Sequence, residues 1–155
     1  MNKSEQKLIY GIGSRNGDDQ IGWIVIERIR SQLPEGWRAK SGLVPMDLLN
    51  HLEDISELHI IDACEGEEEL GTAFQLEWPA QQLLSNPVAT SHSFSLRMTL
   101  DLADSLGILP KSVTIWGIVG KMFRPNDSVN LSEGDFDKVL ETIQRAISPK
   151  DNAHA

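Results

Sequence analysis

Three short apolar runs constrain this chain more than any other feature. They are Leu8-Ile9-Tyr10-Gly11-Ile12-Gly13, Leu58-His59-Ile60-Ile61-Asp62-Ala63 and Val113-Thr114-Ile115-Trp116-Gly117-Ile118-Val119-Gly120. None of them alternates cleanly between apolar and polar residues. Strands buried on both faces read this way, and such strands belong to parallel sheets covered by helices. The segments between them carry helical spacing. Ile21, Val25, Ile29 and Leu33 recur until Pro34-Glu35-Gly36 stops the pattern. Leu96, Leu100 and Ala103 share one side of a helix over 94–106, with Gly107 as its C-cap. Phe136, Val139, Leu140, Ile143 and Ile147 form the cleanest stripe, opened by Ser132 and Asp135 and ended by Pro149.

Weaker signals complete the outline. Residues 37–41 predict a second strand and 46–52 a short helix. Residues 74–78 suit an exposed strand closed by Pro79, while 80–91 and 123–130 read as loops. The expected fold is α/β in three layers, α/β/α, with a mostly parallel twisted sheet of about five strands flanked by helices. One domain is expected over 1–155, with 148–155 as a flexible tail.

Charge and cysteine content narrow the function. Fourteen basic against 23 acidic residues leave a net charge of −9. Binding to nucleic acid or to an anionic membrane surface calls for the opposite sign. The single Cys64 excludes an internal disulfide and any multi-cysteine zinc site. Residues 1–7 are polar, unlike a secretory signal, and no apolar run is long enough to span a bilayer. A cytoplasmic location is the expectation.

In open α/β sheets, sites form beyond the carboxyl ends of the strands. Asp18 and Asp19 follow the first strand, Asp62 ends a central one with Cys64 and Glu65 just after it, and His92 precedes the 94–106 helix. Asp19, Asp62 and His92 make a possible three-ligand site for a divalent metal, with positions left open. Two carboxylates about 4 Å apart repel by roughly 4 kcal/mol at an effective dielectric of 20. A cation removes that repulsion, and so does protonation of one acid. Each residue also has a plainer reading: a helix-start cap for Asp19, a loop histidine for His92, a small buried residue for Cys64. His51 and His59 read as structural or exposed. The turn Gly11-x-Gly13-x-x-x-Gly17 is a poor nucleotide fingerprint, because Asn16 replaces the last glycine of GxGxxG and two acids stand where a pyrophosphate would dock.

Taken in order, Gly11-Ile12-Gly13-Ser14 with Asp18-Asp19-Gln20-Ile21-Gly22, then Ile60-Ile61-Asp62-Ala63, then Thr90-Ser91-His92 resemble the motifs of the [NiFe]-hydrogenase maturation endopeptidases. The resemblance covers roughly residues 7–147 and implies a phosphorylase/hydrolase-like twisted sheet flanked by helices. It implies a peptidase that removes the C-terminal extension of a hydrogenase large-subunit precursor after nickel insertion. Its metal-contacting and catalytic positions fall on Asp19, Asp62 and His92. It also implies that the nickel is carried by the substrate and that the chain is a monomer whose partner is the precursor's C-terminal region; by the general order of metal affinities, another divalent metal can occupy the same site in the isolated protein. The family usually has Glu at Asp19, Asn at Ser14, and an Asp-Gly-Gly-Thr-like loop where Lys40-Ser41-Gly42-Leu43 stands here. These departures keep a second reading open, a nickel-dependent docking or chaperone-like module that does not cut. Trp78 and Phe123 are expected as exposed candidate contacts for a large partner, with simple packing as the plainer reading.

Overall fold

The computed structural model describes residues 6–79 and 93–148. Within them the order is β1 (Gln6–Ile12), α1 (Ile21–Ile29), β2 (Trp37–Gly42), β3 (Ile55–Glu65), β4 (Ala73–Glu77), α2 (Ser93–Ser105), β5 (Ser112–Gly120) and α3 (Glu133–Ile147). The sheet runs β2-β1-β3-β5-β4, parallel except for β4, which pairs antiparallel with β5 along its edge. The expected loop 80–91, His92 and residues 149–155 of the expected tail lie outside the described residues.

Alternation along the strands divides the core in two, and this gives the three layers. Ile9, Ile61, Trp116 and Ile118 face α1 and α3, meeting Ile21, Val25 and Ile29 of the one and Phe136, Val139 and Ile143 of the other. Tyr10, Ile12, Leu58, Ile60, Val113 and Ile115 face the opposite way, onto Leu96, Leu100 and Ala103 of α2 and onto Leu48 and Leu52. Each fully buried Leu or Ile contributes roughly 1.5–3 kcal/mol over its exposed state.

Local chemistry sets the ends of the helices. Ser132 and Asp135 form a reciprocal capping box on α3, with Ser132 Oγ accepting from the Asp135 N–H at 3.1 Å and Asp135 Oδ2 from the Ser132 N–H at 3.0 Å. After α2 the Ile108 N–H donates to the Ala103 carbonyl and the Gly107 N–H to that of Asp104, a Schellman arrangement that Gly107 permits at φ +73°. Two expected helices differ from the sequence pattern. The first ends at Ile29 and tightens to a 3-10 turn over Arg30–Gln32, and Leu33 is extended. Pro34 imposes this, because a residue before proline is disfavoured in the helical region. Pro45–His51 is a 3-10 helix, which still buries Leu48.

Close approach of α1 to the sheet depends on Gly22. A Cβ there would stand 2.3 Å from the Ile12 carbonyl oxygen and 3.0 Å from that of Ile61. The helix start therefore rests directly on the carboxyl ends of β1 and β3.

His59 is structural and buried. Its Nδ1 accepts from the Trp116 indole N–H at 3.0 Å, so Nε2 carries the proton and donates to Glu57 Oε2 at 2.8 Å. Lys7 stands 3.7 Å from Glu57, Trp37 packs on the ring, and Glu77 and Arg145 line the groove beside it. Burial holds the imidazole below its ordinary titration range, against the opposing pull of Glu57. An imidazolium also has no lone pair for Trp116. Unfolded His59 takes up a proton near pH 6.5 whereas the folded residue resists it, so stability falls as pH drops below about 6.5. The urea midpoint is expected to fall between pH 7.5 and 5.5, with a smaller fall in His59→Gln; an equal fall in both proteins would contradict the assignment.

Candidate active site

The candidate residues gather at the carboxyl edge of the sheet, where β1 ends and the chain turns toward α1. The Gly13 N–H and the Trp23 indole N–H both donate to the Gly42 carbonyl, at 3.1 and 3.0 Å, joining this turn to the end of β2. The next residues fold back on themselves. The Ser14 N–H donates to the Asp19 carbonyl at 3.2 Å, and the Asp19 N–H to that of Asn16 at 3.0 Å. A 3-10 helix over Gly17–Gln20 then sends two neighbouring acids in different directions.

Asp18 is fully buried. Its Oδ2 accepts from the backbone N–H groups of Lys121 and Met122 at 2.7 and 3.0 Å, and its Oδ1 from that of Asn130 at 2.6 Å. Its own N–H donates to the Met122 carbonyl at 2.6 Å. This carboxylate clamps the loop after β5. Asp19 is 9% exposed, and its Oδ2 accepts from the Ser14 hydroxyl at 2.6 Å. It lines a cavity of about 180 Å³ with Asn16, Ala63, Cys64, Glu65 and Phe123.

Asp62 follows Ile61, whose carbonyl lies under Gly22, so it sits at the same corner of the sheet as Asp19. It is wholly buried and is not part of the cavity wall. His92 lies outside the described residues. Among the described residues, no group of three His, Cys, Asp or Glu side chains is placed to hold a metal ion. The structure thus brings Asp19 to the end of β3, and the third expected ligand is not among the residues it describes.

Cys64 is buried, and its thiol is pushed up to about 12, first by burial and then by the charges of Asp62 and Glu68. A thiol so protonated is a poor nucleophile. Phe123 and Trp78 are half-buried against the core rather than freely exposed, although Phe123 also forms part of the cavity wall. Glu65, Glu67, Glu68 and Glu69 continue from β3 as an acidic rim, where Lys121 Nζ donates to the Gly66 carbonyl at 2.6 Å. On the other flank, Leu43, Val44 and Met46 are exposed. Between them and β1, the Tyr10 hydroxyl is buried beside Gly42 with no hydrogen-bond partner among the described residues, and burial, with Asp47 adding to it, pushes it up to about 12.

Sequence reading gives a site role to Asp19 and none to Asp18, and the clamp that Asp18 forms emerges only from its bonds to the loop after β5. The sequence marks Ser14 only as a departure from a family pattern, and its bond to Asp19 emerges from the turn geometry. The sequence names Phe123 only as an exposed contact for a partner and Asn16 only as a break in a glycine pattern, and the place of both in the wall emerges from the fold.

Comparison with known proteins agrees with this architecture. A family described as hydrogenase maturation protease, HycI, matches residues 39–149, a span that includes Asp62 and His92 and begins after Asp19. The chain is similar in structure to the hydrogenase maturating endopeptidase HybD from E. coli, with a TM-score of 0.76 and 24% identity over 91% of each chain. It is also similar to the [NiFe] hydrogenase maturation protease HybD from Thermococcus kodakarensis, with a TM-score of 0.72 and 17% identity over 92% of this chain and 99% of that one. An endopeptidase from Escherichia coli solved in solution matches with a TM-score of 0.72 and 23% identity over 91% of each chain. At these identities the likenesses establish the fold. No curated protein matches the chain by sequence. Among the described residues, no helix is long and apolar enough to cross a membrane.

Proposed function

The chain belongs to the hydrogenase maturation protease family, and from that premise we propose that it removes the C-terminal extension of a [NiFe]-hydrogenase large-subunit precursor after nickel has been inserted. The observation that carries this reading is the nearly buried Asp19 carboxylate, fixed by Ser14 on the wall of a cavity at the carboxyl edge of the sheet. Asp19, Asp62 and His92 are the residues assigned to the substrate's nickel. Engaging that ion would anchor the precursor with its scissile peptide close by, and a water held or polarised there adds across the C–N bond. One product keeps the new carboxylate and the other leaves as the amine. The acidic rim formed by Glu65, Glu67, Glu68 and Glu69 suits a basic C-terminal segment.

Cys64 is not assigned the nucleophile's role, because its thiol is buried and pushed up to about 12. Cys64→Ala is expected to cleave within about twofold of the natural chain. Loss of cleavage in a folded Cys64→Ala protein would instead call for a covalent mechanism.

The test is incubation with a cognate precursor in nickel-loaded and nickel-free forms, read by mass spectrometry. Loss of a C-terminal peptide from the loaded form alone is the expected result. A folded chain that binds the loaded precursor and cuts neither form would be a docking module. The Lys40-Ser41-Gly42-Leu43 segment favours that second reading, because β2 runs on to Gly42 and leaves only an apolar, exposed Leu43 and Val44 before Pro45.

A further inference from the structure

We infer that Ser14 is a positioning residue for the proposed cleavage, acting through Asp19; this rests on the function proposed above. The torsion that orients an aspartate's carboxylate plane is broad and soft, so an unanchored Asp19 would sample many orientations toward the cavity. The Ser14 hydroxyl removes that freedom. It donates to Asp19 Oδ2 at 2.6 Å, within the range of a charge-assisted O–H···O⁻ bond. Its own direction is set in turn, because Ser14 Oγ accepts from the Asn16 N–H at 3.3 Å and its proton is left for the carboxylate. A rigid ring results: the Ser14 side chain holds the Asp19 side chain, while the Ser14 N–H to Asp19 carbonyl and Asp19 N–H to Asn16 carbonyl bonds hold the backbone.

Those two backbone bonds do not involve the Ser14 side chain, which is only half-buried. The turn therefore keeps both backbone bonds without the hydroxyl and loses only the long Asn16 N–H contact to it, whereas the aim of the carboxylate depends on the hydroxyl directly. Asp19 bonds Ser14 through one oxygen, which presents the carboxylate to a substrate ion in one fixed orientation. Aspartate is a short ligand with little reach of its own, and preset orientation compensates for that.

The experiment compares wild type, Ser14→Ala, Ser14→Thr and Asp19→Asn for thermal stability and for kinetics on the nickel-loaded precursor. Ser14→Ala is expected to melt within about 2 °C of wild type and to lose about tenfold to a hundredfold in kcat, with KM within about twofold. Ser14→Thr, which keeps the hydroxyl, is expected to recover kcat to within about threefold of wild type. If Ser14→Ala turns over like wild type while Asp19→Asn is inactive, the positioning role is overturned and the cleavage reading stands. Equal losses in the Ala and Thr variants also overturn it, since the side chain's shape rather than its hydroxyl would then matter. If wild type cleaves no precursor, the cleavage reading fails and the positioning role falls with it.

Discussion

Asp18→Ala is expected to destabilise the fold by roughly 3–5 kcal/mol, because it strips the acceptor from three backbone N–H groups at about 1–3 kcal/mol each, partly offset by water entering the space. Those donors belong to Lys121, Met122 and Asn130, and each bond to the carboxylate is 3.0 Å or shorter. For a chain of this size the loss corresponds to a drop of about 10 °C in melting temperature. Asparagine does not repair it. Either orientation of the amide turns an NH₂ toward at least one N–H, so Asp18→Asn should also melt well below wild type. Asp101, an exposed acid 3.8 Å from Arg97, serves as the control, and Asp101→Asn should shift stability by no more than about 0.5 kcal/mol. A melting temperature unchanged in Asp18→Ala would show that the clamp contributes nothing.

The adjacent acid should behave in the opposite way. Asp19→Asn keeps an oxygen for Ser14 and the shape of the side chain, so the fold should survive with little change. Cleavage of the nickel-loaded precursor is expected to fall about a thousandfold, the scale on which removing one charge-stabilising group from a reaction centre acts. Asp62→Asn is expected to fall by a similar factor, and circular dichroism must show that it folds because the residue is wholly buried. Full activity in a folded Asp19→Asn protein would remove Asp19 from the site without touching the family assignment. The pair Asp18 and Asp19 thus offers a sharp separation: one substitution costs stability, the other turnover.

The sheet and its two helical layers were legible in the sequence because burial on both faces leaves an unbroken apolar run. The runs at Leu8, Leu58 and Val113 became β1, β3 and β5, and the Phe136 stripe became α3. Helix ends were legible where chemistry is local, as with Ser132, Asp135 and Gly107. The shortened α1 was missed because Pro34 acts on the residue before it, and a periodicity count does not register that. Asp19 drew a site role through the family resemblance, but the clamp made by Asp18 was not legible for a different reason: its partners lie far away in sequence, at Lys121, Met122 and Asn130. His59 was ambiguous until Trp116, 57 positions away, fixed its tautomer.

The Asp18 clamp also sets an order of events during synthesis. Asp18 leaves the ribosome 112 positions ahead of Asn130, whose N–H closes the clamp. The Lys121 and Met122 N–H groups can reach one carboxylate oxygen once β5 is out, but the other stays unmatched until Asn130 follows, so the loop bearing Phe123 is pinned at one end only. A nascent chain therefore has all five strands of its sheet before the wall bearing Phe123 is fixed. Premature release before residue 130 would yield a fragment that holds Asp19, Asp62 and His92 but only part of the Asp18 clamp.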